Sequence, residues 1–307
     1  MTIAGEVDAA AGGAPARKPR IALMGEFSAG KSTLTNLLIG AHPLPVRVTA
    51  TQLPPVWISW GDATPYRVDL AGAEHPVDIE ALDGLPPEDT RVIRIFQKSD
   101  MLELCDLIDM PGISDPNMSP DVWQRVVGEA DAVIWCSHAT QAWRQSEAAV
   151  WESLAPELRM HSLLLLTRID KILGDKDRSR VLRRVRHETA GLFAEVFPIS
   201  LTEAVAAGDD RDRWESSGAE AFTTALVDIL HGLQKALGSV PDDPLDRPLA
   251  EDMTTGVPEP VPATPTRVVP RRVNLRPSRA VRTPRPDRDT AAAMRAGLRA
   301  GVAEERS

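Results

Sequence analysis

The eight residues Gly25-Glu26-Phe27-Ser28-Ala29-Gly30-Lys31-Ser32 follow the spacing GxxxxGK[ST], and Thr33 extends it to GKST. With that spacing two glycines let the backbone curl until successive N–H groups point at one phosphate, and the helix start behind them adds partial positive charge. Lys31 is then the side-chain cation for the β- and γ-phosphates, and the Ser32 hydroxyl is a ligand for Mg²⁺. The motif lies between an apolar run at 21–24 and an amphipathic stretch at 31–39, the strand and helix it requires. A chance match at a glycine-containing turn is the competing explanation. That setting argues against it.

A second group of residues suits the metal and the terminal phosphate. The apolar run 104–108 ends in Asp109-Met110-Pro111-Gly112. An aspartate ending a strand beside a phosphate loop holds the Mg²⁺ shell, and a glycine just beyond it offers a backbone N–H to the γ-phosphate. Taken alone the tetrapeptide is only a turn signal. A threonine from the loop after the first helix is expected to complete the metal shell. The segment reads Val48-Thr49-Ala50-Thr51-Gln52-Leu53-Pro54, and Thr51, three residues before the proline that opens the next strand, is preferred to Thr49.

The third group reads a base. The run 163–166 ends in Thr167-Arg168-Ile169-Asp170, a variant of [NT]KxD in which arginine replaces lysine. The Asp170 carboxylate would accept from the N1–H and N2 amine of guanine, a donor pair that adenine lacks. The stem of Arg168 would lie along the base face, although arginine and lysine are not equivalent there. Asp170 as a plain helix cap is the bland alternative. Ser200, after the run 196–199, stands where a loop backbone N–H would touch the guanine carbonyl.

These groups need a scaffold, and apolar patterning supplies one. Short apolar runs at 21–25, 54–60, 91–96, 102–109, 132–137, 162–167 and 195–200 alternate with amphipathic stretches at 31–39, 119–129, 143–155, 175–193 and 217–237. That alternation predicts an α/β fold of the P-loop NTPase type, a mostly parallel sheet with helices on both faces. Residues 61–96 are more polar and hairpin-like, as an antiparallel edge would be. Trp123, Trp135, Trp143 and Trp151 are expected to pack in the core, and His42 and His138, flanking the expected switch regions, are read as structural.

Composition sets the limits. The chain has 307 residues and net charge −9, with 23 basic and 34 acidic side chains before residue 241 and 12 against 10 after it. So acidic a domain argues against nucleic acid as a partner. Cys105 and Cys136 each lie in an apolar run, which excludes a disulfide framework and a thiolate metal site and points to the cytosol. The expected organisation is a disordered leader at 1–18, one nucleotide-binding domain at 19–240, and a disordered Pro/Arg-rich tail at 241–307 with a short helix at 290–306. Eleven of the 26 prolines fall within 241–286, and eight arginines face one aspartate within 265–288.

In this order and spacing GEFSAGKST, a threonine three residues before a proline, DMPG and TRID resemble the GTPase domain of the dynamin family, most closely its bacterial members, over residues 19–240. The resemblance implies GTP as substrate, Mg²⁺ as cofactor, hydrolysis to GDP and phosphate, and self-association through the GTPase domain. It implies that the Ser28 hydroxyl helps place a monovalent cation and the attacking water. Two departures count against the cation: residues 43–48 contain no glycine, and Phe27 replaces the usual glutamine. The long helical stalk of full dynamins is not matched. Two functions stay open: a GTP-hydrolysing switch or dimer serving a larger dynamin-like partner or an anionic membrane surface through its tail, and a low-turnover GTP-binding scaffold whose tail is the binding module.

Overall fold

The computed structural model describes residues 17–40, 53–115 and 118–238. Thr49, Thr51, His42, most of the predicted leader and the whole of the predicted tail, with its 290–306 helix, lie outside the described residues.

In chain order the elements are β1 (Arg20–Gly25), α1 (Lys31–Ile39), β2 (Val56–Ser59), β3 (Tyr66–Asp69), β4 (Glu74–Pro76), β5 (Thr90–Phe96), α2 (Asp100–Leu104), β6 (Asp106–Asp109), α3 (Asp121–Val127), β7 (Ala132–His138), α4 (Gln145–Ser153), β8 (Leu163–Thr167), α5 (Asp175–Glu188), β9 (Glu195–Pro198), α6 (Leu201–Ala207), α7 (Arg211–Ser216) and α8 (Ala219–Leu237). The strands form one sheet in the order β4-β3-β5-β2-β6-β1-β7-β8-β9. From β6 to β9 every pair is parallel, whereas β2 meets β6 antiparallel. Beyond β2 the strands β3 and β4 close the edge as an antiparallel hairpin. The fold is the mostly parallel P-loop α/β sheet that the patterning predicts.

Alternate residues of the central strands serve opposite faces, as a period of two demands. Ile21, Leu23, Ile134, Cys136, Leu163 and Leu165 join one core; Ala22, Met24, Val133, Trp135, Leu164 and Leu166 join the other. Helices α1, α2, α6 and α8 cover the first face, and α3, α4 and α5 cover the second. A strand buried on both sides must be apolar throughout, and β8 is buried at all five positions. The tryptophans pack as predicted: Trp135 meets Trp143 and Trp151 edge-on, and Trp151 stacks on Phe193 with ring centroids 4.2 Å apart.

Local differences from the sequence pattern have identifiable causes. Residues 102–104, predicted as strand, end the short helix α2, whose first turn carries Asp100 and Glu103 where helix polarity favours acids. Cys105 lies between α2 and β6, and burial drives its thiol well above the ordinary range. The helix predicted from residue 143 begins at Gln145 because Trp143 has a left-handed backbone, φ 57°, that no helix accommodates.

The long helix α8 is integral to the core. Phe222, Leu226, Leu230 and Leu233 recur at helical spacing and are buried, and Phe222 meets Phe197 edge-on at 6.2 Å. Phe222→Ala should therefore lower the unfolding free energy by about 3–5 kcal/mol in urea titrations. A variant as stable as the parent would mean that α8 is not part of the folding unit.

Candidate functional site

Each parallel strand ends at the same edge of the sheet, the position where open α/β sheets bind ligands. Register places Leu23 beside Asp109, Gly25 beside Cys136, His138 beside Thr167 and Leu166 beside Pro198. The three groups singled out in the sequence, far apart along the chain, therefore converge on one rim.

The phosphate loop leaves β1 through Gly25, where a Cβ would fall 2.1 Å from the Cys136 carbonyl oxygen. It then turns through Ser28 at φ 58° and Gly30 at φ 97°, which directly precedes α1. Lys31 is buried, and its Nζ donates to the carbonyls of Gly25 at 3.2 Å and Glu26 at 3.0 Å. Those bonds hold the ammonium over the mouth of the loop. Ser32 and Thr33 occupy the first turn of α1; Ser32 is half-buried and Thr33 exposed.

Asp109 ends β6, the strand beside β1, and its Oδ1 is buried with no hydrogen-bond partner. Burial raises the carboxyl to about 6 against the opposing pull of Lys31, Ser32 and Thr35. Burial likewise lowers Lys31, which Asp109 draws back up. An orphaned buried carboxylate oxygen beside a serine hydroxyl fits a hard divalent cation such as Mg²⁺, whose remaining ligands come from water and phosphate. Among the described residues no group of three or more His, Cys, Asp or Glu could hold a metal alone, so any cation here shares its shell with the ligand.

The segment after Asp109 rests on the phosphate loop. A Cβ on Gly112 would lie 2.8 Å from Phe27 Cα, Ile113 N–H donates to the Gly25 carbonyl at 3.2 Å, and Phe27 N–H donates to Ser114 Oγ at 3.1 Å. Only glycine fits at residue 112 without displacing backbone. The Ser114 contact was not foreseeable from the motif.

The segment predicted to read a base also contacts the phosphate loop. Thr167 is fully buried and donates its hydroxyl to the Ala29 carbonyl at 2.8 Å, so it faces the loop. Arg168 has a left-handed backbone, φ 54°, and donates from Nη2 to the Ser28 carbonyl at 2.9 Å. Asp170 accepts from the Ser200 hydroxyl at 2.8 Å and lies 3.4 Å from Lys171 Nζ. Burial pushes its carboxyl up, yet Ser200 and Lys171 outweigh that and keep it below the usual carboxylate range. The Ser200 N–H donates to the Ser217 carbonyl at 2.9 Å, and it is the Ser200 hydroxyl that meets Asp170.

Sequence reasoning missed the opposite wall. Arg144 and Ser146 at the start of α4 bond Glu26, and the buried Glu147 accepts from Trp135 Nε1, Ser137 Oγ and Arg144 N–H. The available signal was the polar run within 136–147, whose spacing gives no hint of a pairing 118 residues back along the chain. The His138 imidazole is lowered from its ordinary value by partial burial and then by Arg168 and Arg144. The Cys136 thiol, pushed up to about 12 by burial, is inert.

Sheet order, phosphate loop and base segment together define a P-loop protein of the GTPase class. Residues 21–168 match the model of the Dynamin family. Over that segment, just under half of its length, the chain is similar to the dynamin family. It is 26% identical over 219 residues to Dynamin-like protein 2 of Campylobacter jejuni, an alignment that spans 68% of this chain and 34% of that protein. Two solved structures, described as an oligomerised bacterial dynamin pair that provides a mechanism for the long-range sensing and tethering of membranes, share the fold with a TM-score of 0.52. They are 20% and 21% identical, covering 72% of this chain and 36% of theirs. The chain thus spans about a third of the length of these relatives.

The electrostatics of Asp109 carry a pH dependence. Because its folded-state pKa is raised to about 6, the folded chain holds that proton more tightly than the unfolded chain, and the associated stability is present at low pH and lost as pH rises through 6. A metal must displace the same proton. The gain in nucleotide affinity on adding Mg²⁺ should therefore shrink as pH falls through about 6, and Asp109→Asn should abolish the gain at all pH values. A Mg²⁺ effect that survives in Asp109→Asn would place the cation elsewhere.

Proposed function

We propose that this domain binds GTP with Mg²⁺ and hydrolyses it to GDP and phosphate. The observation that carries the reading is the buried, oppositely charged pair of Lys31, the first residue of α1, and Asp109, the last of β6, set beside a loop that bends through Gly25, Ser28 and Gly30. Two such charges, each pushed towards neutrality by burial, are suited to a ligand that brings both an anion and a cation.

In this reading the phosphate loop, residues 25–33, wraps the β-phosphate, and Lys31 moves from the carbonyls of Gly25 and Glu26 to the β- and γ-oxygens. Ser32, Asp109 and, from outside the described residues, Thr51 would hold Mg²⁺, which when bound neutralises charge developing on the phosphate oxygens. Gly112 N–H would bond the γ-phosphate, and the Ser28 hydroxyl would orient the attacking water. Asp170 would pair with guanine, kept ionised and aimed by Ser200, while Arg168 flanks the base. The absence of first-switch glycines and the presence of Phe27 weigh against a monovalent cation as a further cofactor.

A nucleotide-dependent switch follows from the contacts of residues 112–114. Whatever draws Gly112 towards a γ-phosphate bears directly on the Ile113 and Ser114 bonds to the phosphate loop. Self-association through the same rim is supported by Phe27 and Leu173, 55% and 83% exposed there, and by the oligomerised pair named for the solved relatives. Among the described residues no helix is long and apolar enough to cross a membrane. A peripheral role at an anionic membrane, or with a larger dynamin-like partner, would fall to the Arg-rich stretch 265–288, whose eight arginines would bind in a salt-sensitive way. The scaffold reading, with slow turnover and the tail as binding module, is favoured by one feature: Phe27 stands where a polar side chain could have aligned water.

Two substitutions test the chemistry. Lys31→Ala should reduce GTP turnover by at least about a hundredfold, the scale of losing a preorganised cation at the reacting phosphates; near-normal turnover would remove the phosphate-site assignment. Asp170→Asn should shift preference from GTP to XTP, since an amide pairs better with xanthine. If the mutant keeps its full preference for GTP over XTP, the base is read by other residues.

A further inference from the structure

Glu26 is the one acidic residue within the phosphate-loop motif. Its backbone lines the cradle: the Glu26 carbonyl accepts from Lys31 Nζ at 3.0 Å and from Ala29 N–H at 3.2 Å. Its side chain turns the other way, towards the start of α4. There Oε2 accepts from Arg144 Nη1 at 3.0 Å and Oε1 accepts from Ser146 Oγ at 2.9 Å. Both carboxylate oxygens are occupied, one by a cation.

Arg144 is itself fixed. Its N–H donates to Glu147 Oε2 at 2.9 Å. Glu147 is 2% exposed and also accepts from Trp135 Nε1 at 2.9 Å and from Ser137 Oγ at 3.0 Å. The Ser137 carbonyl in turn receives the Thr167 hydroxyl at 3.3 Å, and Thr167 holds Ala29 of the phosphate loop. A closed circuit thus runs from Glu26 through the start of α4 and the ends of β7 and β8 back to Ala29.

A carboxylate next to a bound polyphosphate is repelled by it, and the repulsion grows with the number of phosphates. Neutralised by a guanidinium and turned outwards, it costs the ligand little. We propose that Arg144 is a positioning residue for the phosphate loop: it neutralises Glu26 and holds its carboxylate away from the phosphates, so that Lys31 alone sets the charge the loop presents. Side-chain exposures of 44% for Arg144 and 17% for Glu26 make this a pair of small value to folding. Its consequence appears when a polyanion binds. The inference rests on the nucleotide reading above and adds a residue that the loop motif does not contain.

The test uses the full-length chain, with equilibrium binding of GTP, GDP and GMP and a melting curve for each variant. Arg144→Ala should weaken GTP by about tenfold, GDP by less and GMP hardly at all, following the ligand's charge. Arg144→Lys should stay within about threefold of the parent, because the cation is retained although the planar fork is lost. Adding Glu26→Gln to Arg144→Ala should restore most of the GTP affinity, since the amide carries no charge and still accepts from Ser146. Equal weakening of all three nucleotides with a lowered melting temperature would reduce Arg144 to a structural role and overturn the proposal. A double variant as weak as Arg144→Ala alone would overturn it too, because Arg144 would then act on the phosphate and not through Glu26. If the parent binds none of the three nucleotides, the nucleotide reading itself fails and takes this inference with it.

Discussion

The exit of the chain from β1 constrains everything else in the site. That strand lies between β6 and β7, and at Gly25 the neighbouring Cys136 carbonyl leaves no room for a side chain. The chain must curl there, and it does so at a conformational cost, since Ser28 adopts a left-handed backbone that non-glycine residues avoid by about 1–2 kcal/mol. Neighbours offset that cost. Arg168 binds the Ser28 carbonyl and Thr167 the Ala29 carbonyl, so the segment that aims Asp170 also fixes the phosphate loop. In the proposed function, phosphate recognition and base recognition would be mechanically one object.

Electrostatics reinforce the same constraint. Lys31 and Asp109 are both buried, and each is shifted towards its neutral form by desolvation while partly rescued by the other. Removing either charge strands its partner, which makes the pair a poor source of stability and a good receptor for a phosphate and a divalent cation arriving together. On the outer side of the loop Arg144 and Glu26 form a second pair, exposed enough that solvent screens it. The loop thus separates a buried pair suited to the ligand from a surface pair that keeps an acidic side chain out of the ligand's way.

Much of this was legible in the sequence, for physical reasons. The central strands were readable because burial on both faces forces continuous apolar runs, as at residues 163–166, and the phosphate loop because its glycines, lysine and serine have fixed spacing between a strand and a helix. The α2 turn was misread because the run 102–105 is short and apolar, and periodicity cannot separate a strand from one helical turn at that length. Strand β3 was not separated from the hairpin-like stretch 61–96 that contains it, being only four residues long with every second position half-buried. The contacts of Arg144, Ser146, Ser114 and Ser200 could not be read at all, because they depend on which strand ends become neighbours. Ser200 illustrates the point: its position at the end of β9 was anticipated, but only the fold reveals that its amide is engaged by Ser217.

The central claim is that one rim of the sheet selects and cleaves a guanine nucleoside triphosphate. Phosphate release by the purified full-length chain, followed with Mg²⁺ and either GTP or ATP at equal concentration, tests it most directly. The account predicts turnover of GTP with ATP at background, because adenine leaves the Asp170 carboxylate without its donor pair. Equal turnover of the two nucleotides, or release from neither, would contradict it.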